Sequence, residues 1–257
     1  MLSWKYQGAF TMTTEEKFMF DLEGYLVIKN VLTKDEVTVL NDIADRAFGT
    51  YPYGGEVQGR ETSLLSWGTP VKHLIDHPDI LPYLVELLGP RVRLDHDYGM
   101  FMRTGDAHGG LHGGFGGSHW YHFRNGVMHN GLTVVTYFLT DALSGDGGFC
   151  CVPGSHKSNF SASDIPDEVR QFNREAHYVV QPAVEAGDAL IFTEATMHGT
   201  IPWRAAHERR ALLLKYSPGH ATWALGFYDL DEIGTLTDQQ QRLLAPPSVE
   251  KHPDVVR

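Results

Sequence analysis

Cysteine is nearly missing from this chain: among 257 residues there are two, Cys150 and Cys151, and they are adjacent. A disulfide wants its two Cα atoms well separated and its Cβ vectors converging, so sequence neighbours bridge poorly. A disulfide framework is excluded, which fits a reducing compartment. Long apolar runs are missing too. None approaches the roughly 20 residues that span a bilayer, and the opening MLSWKYQGAFTMTTEEKF lacks the basic start and apolar stretch of a secretory signal. The expectation is a cytoplasmic protein. Basic clusters are absent as well, with 21 Lys and Arg against 32 Asp and Glu and a formal charge of −11. An acidic surface repels phosphate backbones, which argues against nucleic acid as a partner.

What is present describes an ordinary globular chain, 42% hydrophobic and 21% charged. No internal repeat or long linker divides it, so a single domain over residues 1–257 is expected. The first ninety residues read as helical. Thr13-Thr14-Glu15-Glu16 starts one helix, which Gly24 ends before a short strand, Tyr25 to Ile28. Thr33 followed by Glu36 forms a capping-box pattern ahead of Val37, Leu40, Ile43, Ala44 and Phe48 at helical spacing. Asp79 to Leu88 suggests a third helix. From Val92 the texture becomes β-rich, in runs Val92 to Met102, Leu132 to Leu139, Ala176 to Gln181, Ala189 to Thr193 and Arg210 to Tyr216. Gly145-Asp146-Gly147-Gly148 and Pro153-Gly154-Ser155 separate some of them as turns. Short strands at this spacing predict a sandwich or barrel with helices packed on one face, a mainly β α+β fold.

Histidine is concentrated: eleven of the fourteen fall between His96 and His220. A lone histidine is more often structural than a ligand, so local pattern must select among them. Gly105 to Gly117 holds seven glycines in thirteen positions. It is either a flexible surface loop or a backbone that lets a ligand approach closely; no Gly-Lys-Ser/Thr follows, so it is not a phosphate-binding loop. Further on stand His198-Gly199-Thr200 and, eleven residues after His198, Arg209. Imidazole binds iron, and a guanidinium fork takes a carboxylate in bidentate fashion, so these residue types suit a metal beside a dicarboxylate.

Taken together, the chain resembles the phytanoyl-CoA dioxygenase (PhyH) family of iron(II)/2-oxoglutarate-dependent oxygenases. The resemblance runs from Phe20-x-x-x-Gly24-Tyr25-Leu26-Val27-Ile28 and Leu32-Thr33-x-x-Glu36-Val37. It continues through Gly147-Gly148, Val152-Pro153-Gly154-Ser155-His156-Lys157 and Gly187-Asp188-x-x-x-Phe192 to His198-Gly199-Thr200 and Arg209. It implies a double-stranded β-helix, a jelly-roll or cupin-like core, acting on a small molecule with O2. It implies further that His112 and His198 bind iron(II), and that Arg209, with Thr200 as a second contact, grips the far carboxylate of 2-oxoglutarate.

One position departs from the family. Members usually supply an iron carboxylate two residues after the first histidine, where residues i and i+2 of a strand share a face. Here the string is His112-Gly113-Gly114. Three outcomes stay open. Gly114 leaves a coordination position for chloride, as in similar halogenases, and the substrate radical recombines with halide. Alternatively another acid completes the triad. Glu194 is nearest in sequence to His198: about 13 Å away if Phe192 to His198 is one strand, within reach if the chain turns at Ala195-Thr196. Asp106 and Asp97 would need the glycine-rich segment to fold over. Or the site is a metal or small-molecule binding module without redox chemistry, since fold does not fix function. His156 reads as a loop-fixing hydrogen bonder, Tyr137 and Trp203 as core aromatics, and Cys150-Cys151 as packed. His119, His122 and His129, with Trp120, Tyr121 and Arg124, could line a substrate mouth but read first as exposed loop residues.

Overall fold

The computed structural model describes residues 12–48, 56–57, 63–114, 119–226 and 228–255. The first eleven residues, and positions 115–117 of the glycine-rich segment, lie outside them. Helix α1 (Thr14–Glu23) begins where the sequence predicts, with Thr13 and Glu16 reciprocally capping, and ends at Gly24 in the left-handed region at φ 84°. Gly24 must be glycine twice over, because a Cβ there would meet Thr196 Oγ1 and the His156 ring. Strand β1 (Tyr25–Ile28) follows directly. Thr33 and Glu36 make the predicted capping box ahead of α2 (Lys34–Phe48), Glu36 Oε2 accepting from Thr33 N at 2.7 Å. After β2 (Glu56–Val57) and the short α3 (Thr69–Lys72) comes α4. It covers Leu81–Leu88 rather than 79–88: a separate turn occupies 77–80, and Pro82, which has no N–H to leave unpaired, sits in the first turn of the helix.

The remaining strands are β3 (Val92–Met102), β4 (His108–His112), β5 (Tyr121–Arg124), β6 (Val127–Asn130), β7 (Thr133–Phe138), β8 (Gly148–Cys151), β9 (Ala189–Thr193), β10 (His198–Ile201) and β11 (Arg209–Pro218). They form a six-stranded antiparallel sheet in the order β1-β9-β7-β11-β3-β2, a three-stranded sheet β4-β10-β8, and the hairpin β5-β6. The run Ala176 to Gln181 is not a strand. It makes one bridge, Val180 to Cys151, after which Gln181 turns its side chain onto the Leu143 and Gly147 carbonyls and Pro182 has no N–H to continue.

Alternation along β11 sorts the core. Leu212, Leu214 and Tyr216 face the helices with Phe20, Leu40, Leu84 and Leu87; Ala211 and Leu213 face inward with Tyr98, Met100, Met102, Phe138, Leu190 and Phe192. The helices therefore cover the outer face of the large sheet, as the α+β expectation requires. The inner face closes on the small sheet. Arg209 and Lys215 lie on the same alternation as Ala211 and Leu213, and so stand at the two ends of that interior.

Candidate functional site

The glycine-rich segment is not a free loop. Its middle, His108–His112, is strand β4, which pairs antiparallel with β10 so that His112 and His198 are direct Cα partners. Their ring centroids lie 4.3 Å apart. Each ring is oriented by its own backbone: His112 Nδ1 sits 3.0 Å from the Gly110 carbonyl, and His198 Nδ1 sits 2.7 Å from the Thr196 carbonyl. A carbonyl only accepts, so both Nδ1 atoms carry the proton, which leaves Nε2 as the ring atom each histidine can offer to a metal. His112 is exposed and His198 buried. Burial lowers the His198 pKa to about 4, against the opposing pull of Glu194, so the imidazole is neutral at pH 7. Phe149 and Phe192 flank that ring, with centroids 6.3 and 4.8 Å away.

Glu194 comes back to this pair. The chain leaves β9 through a turn closed by Thr196 N donating to the Thr193 carbonyl, which places Glu194 Oε2 3.7 Å from His198 Nε2. Its other oxygen, Oε1, lies 2.8 Å from Lys215 Nζ. Burial works against the carboxylate's charge, but the facing charges of His198 and Lys215 and the Lys215 hydrogen bond hold its pKa well below the usual range. With His198 neutral at pH 7, Lys215 is the cation that does this. Among the described residues, no three His, Cys, Asp or Glu side chains form a ready-made metal cage.

Gly114 is placed differently from a strand residue. Strand β4 ends at His112, and Gly113 and Gly114 have φ of 78° and 108°, so the same-face relation of i and i+2 does not apply. A Cβ built on Gly114 points to the Ser161 backbone (3.1 Å) and Met197 Cγ (3.3 Å). Asp106 spends its carboxylate on its own turn, accepting from Arg103 N. Asp97 faces the helix side, accepting from Ser63 Oγ, Leu64 N and Tyr228 Oη.

At the opposite end of the interior, Arg209 is 2% exposed. Its Nε is buried without a hydrogen-bond partner, Nη1 lies 3.6 Å from Met102 Sδ, and among the described residues no carboxylate pairs with it. Burial lowers its pKa to about 10, which leaves it charged at pH 7. Its neighbour Arg210 turns outward to Glu208 and Asp45. Thr200, two residues along β10 from His198, is buried, its hydroxyl 3.8 Å from Met100 Sδ.

Sequence reasoning missed several residues near the mouth. The reading of the residues from His119 to His129 as an exposed loop holds only in part. Arg124 and His129 are exposed, but Tyr121, His122 and Arg124 lie on β5 and His129 on β6, with His122 opposite His129, and Tyr121 is buried. His119, by contrast, is half-buried and stacks on Trp223, centroids 6.0 Å apart and planes 7° apart, with Trp120 beyond at 5.3 Å from Trp223. His119 Nδ1 and Trp223 Nε1 are buried without hydrogen-bond partners. Trp223 is fixed through its backbone, whose N–H donates to Asp95 Oδ2, itself paired with Arg93. Past Trp120 opens a cavity of about 620 Å³ lined by Leu87, Leu88, Met128, Asn130, Pro218 and His220 among others. A contact across about a hundred residues of sequence leaves no local signal. Lys215 was missed too, although alternation along β11, which puts it on the face of Arg209, could have found it. His156 is the loop-fixing residue expected, its Nε2 3.0 Å from the Asp21 carbonyl. Tyr137 and Trp203 are core aromatics, and both cysteines are buried.

Residues 20–211 match the family model described as phytanoyl-CoA dioxygenase (PhyH). No curated protein matches the chain. Among solved structures, the chain is similar to HygX from Streptomyces hygroscopicus, solved with nickel and 2-oxoglutarate bound, at 23% identity and a TM-score of 0.72 over 82% of this chain and 89% of that one. It is also similar to AviO1 from Streptomyces viridochromogenes Tue57, at 18% identity and 0.62 over 84% and 100%. The non-heme alpha-ketoglutarate-dependent carbocyclase SnoK, from nogalamycin biosynthesis, gives 18% and 0.62 over 94% and 95%. At such identities the likeness establishes the fold, the double-stranded β-helix expected.

Proposed function

For a chain that belongs to the phytanoyl-CoA dioxygenase family, whose members are iron(II)/2-oxoglutarate-dependent oxygenases, we propose that it oxidises a C–H bond of a small molecule, with Glu194 as the carboxylate beside His112 and His198. The observation that carries this is Arg209. A buried guanidinium without an anion is a costly arrangement, and the dicarboxylate 2-oxoglutarate supplies the missing partner. Thr200 lies two residues from His198 on β10 and, like Arg209, sets its polar end against a methionine of β3, Met100 for Thr200 and Met102 for Arg209.

The residue types suit the metal, although among the described residues the three side chains are not gathered into a metal group. Two imidazoles whose Nδ1 atoms are held by backbone carbonyls, with a carboxylate 3.7 Å from one of them, supply the residue types of the two-histidine, one-carboxylate set of non-haem iron oxygenases. When bound, iron(II) with 2-oxoglutarate supplies the reductive activation of O2. The chain's own residues do the rest. His112 and His198 present their lone pairs from paired strands, Arg209 fixes the cosubstrate's far end, and Phe149 and Phe192 keep water from the His198 side. Trp223 and His119 offer the substrate a stacked wall with two unpartnered polar atoms.

Oxygen delivery is favoured over halogenation. Chloride would need room on the Gly114 side, where Ser161 and Met197 already lie, whereas a carboxylate stands 3.7 Å from His198. Anaerobic protein with iron(II) and 2-oxoglutarate is expected to show a weak visible charge-transfer band that chloride leaves unchanged. No band with iron in excess overturns the oxygenase assignment. A chloride-dependent shift, with tighter 2-oxoglutarate binding, would return the vacancy at Gly114 to favour.

A further inference from the structure

We propose that Lys215 is a positioning residue for the iron site: by holding one oxygen of Glu194 it keeps the other directed at His198 and restricts the carboxylate to a single coordinating atom. The inference rests on Glu194 being the third ligand.

The geometry divides the two carboxylate oxygens between two partners. Oε1 is taken by Lys215 Nζ at 2.8 Å, and Oε2 faces His198 Nε2 at 3.7 Å. Both side chains are almost enclosed, with 15% of Lys215 and 7% of Glu194 exposed. Such a pair is screened little by solvent, and losing one partner leaves the other charge buried and uncompensated. The ammonium is itself held in place. Lys215 is the last residue of β11 before its register shift, lies between His96 of β3 and Val134 of β7, and rests its Nζ 5.2 Å over the Tyr98 ring. Glu194 approaches from the next strand but one, two residues beyond Phe192, which pairs with Val134. Strand register therefore aims both groups at the same point.

The family pattern His-x-Asp needs no such device, since its carboxylate projects from the same strand as the first histidine. Glu194 sits on a turn, where a glutamate has three rotatable bonds and little backbone constraint on its head group. A lysine clamp supplies the missing restraint. It also occupies the oxygen with which Glu194 could otherwise grip a bound ion through both atoms. Hydrogen-bond partners of metal ligands typically contribute about 10–100-fold in metal affinity.

The experiment is isothermal titration of the metal-free protein with nickel(II) alone, together with the intensity of the anaerobic iron(II)·2-oxoglutarate band. Lys215→Met is expected to weaken nickel binding about tenfold or more and dim the band, while Lys215→Arg, which keeps the charge and the donor, restores most of both. In a Glu194→Gln background, Lys215→Met should change nothing further. If Lys215→Met leaves nickel affinity and band intact while Glu194→Gln weakens them, the clamp is refuted and Glu194 stands as ligand. Should Glu194→Gln itself leave nickel affinity untouched, the ligand assignment and the clamp both fall. Lys215→Gln replaces Lys215→Met if the latter does not fold, with circular dichroism as the check.

Discussion

The two ends of the sandwich interior each carry a cation from the same strand, Lys215 partly buried and Arg209 fully, and treat it in opposite ways. Lys215 is paired with Glu194 at 2.8 Å; Arg209, six residues earlier on the same face, has no carboxylate among the described residues and an orphaned Nε. A pair neutralises itself and organises what lies beside it. An unpaired charge awaits a ligand. The contrast separates a part of the site that the chain completes alone from a part that its cosubstrate completes.

Removing the unpaired charge should have the largest effect. Arg209→Met is expected to lower 2-oxoglutarate affinity by at least about 100-fold, the loss of a bidentate charge-assisted pair. Thermal stability of the ligand-free protein should hold or rise, because a buried uncompensated charge is gone. Calorimetric titration and a melting curve read both, and a sharp fall in stability would mean that the guanidinium is paired within the fold.

The site's sequence was legible where chemistry demanded a residue type in a fixed pattern. His112, His198, Thr200 and Arg209 were picked out before any strand was known, and the structure brings the histidines together across β4 and β10. Gly114 was picked out for what it lacks, and here tertiary context speaks. Gly114→Asp should not tighten nickel binding by even twofold, since its side chain would head toward Ser161 and Met197. It should cost about 1–3 kcal/mol of stability for a non-glycine residue at φ 108°. An iron affinity raised well above the parent would show that position 114 faces the metal after all.

The gentlest test is acid. Burial holds the folded pKa of His198 down at about 4 from an ordinary 6.5, and Glu194 is also held below its ordinary value. In both cases the unfolded chain binds protons first. Stability of the metal-free protein is therefore full above about pH 6.5, and falls as pH drops toward 4 and below, as His198 and then Glu194 resist protonation. A melting temperature that is flat from pH 7 to 4 would contradict the buried, neutral His198.

Sequence alone determined the elements with strong local rules: the Thr13–Glu16 and Thr33–Glu36 capping boxes, the Gly24 stop, and the β3 and β9 boundaries. Each depends on residues a few positions apart, so a short window contains the cause. It also determined which residue types were available for a metal and a dicarboxylate. Tertiary structure alone decided that the glycine-rich segment contains a strand, that the run at Ala176 does not form one, and that Glu194 turns back to His198 beside Lys215. It alone brought Trp223 onto His119. Those outcomes depend on register between strands distant in the chain, and register is fixed by burying one face of each strand against another.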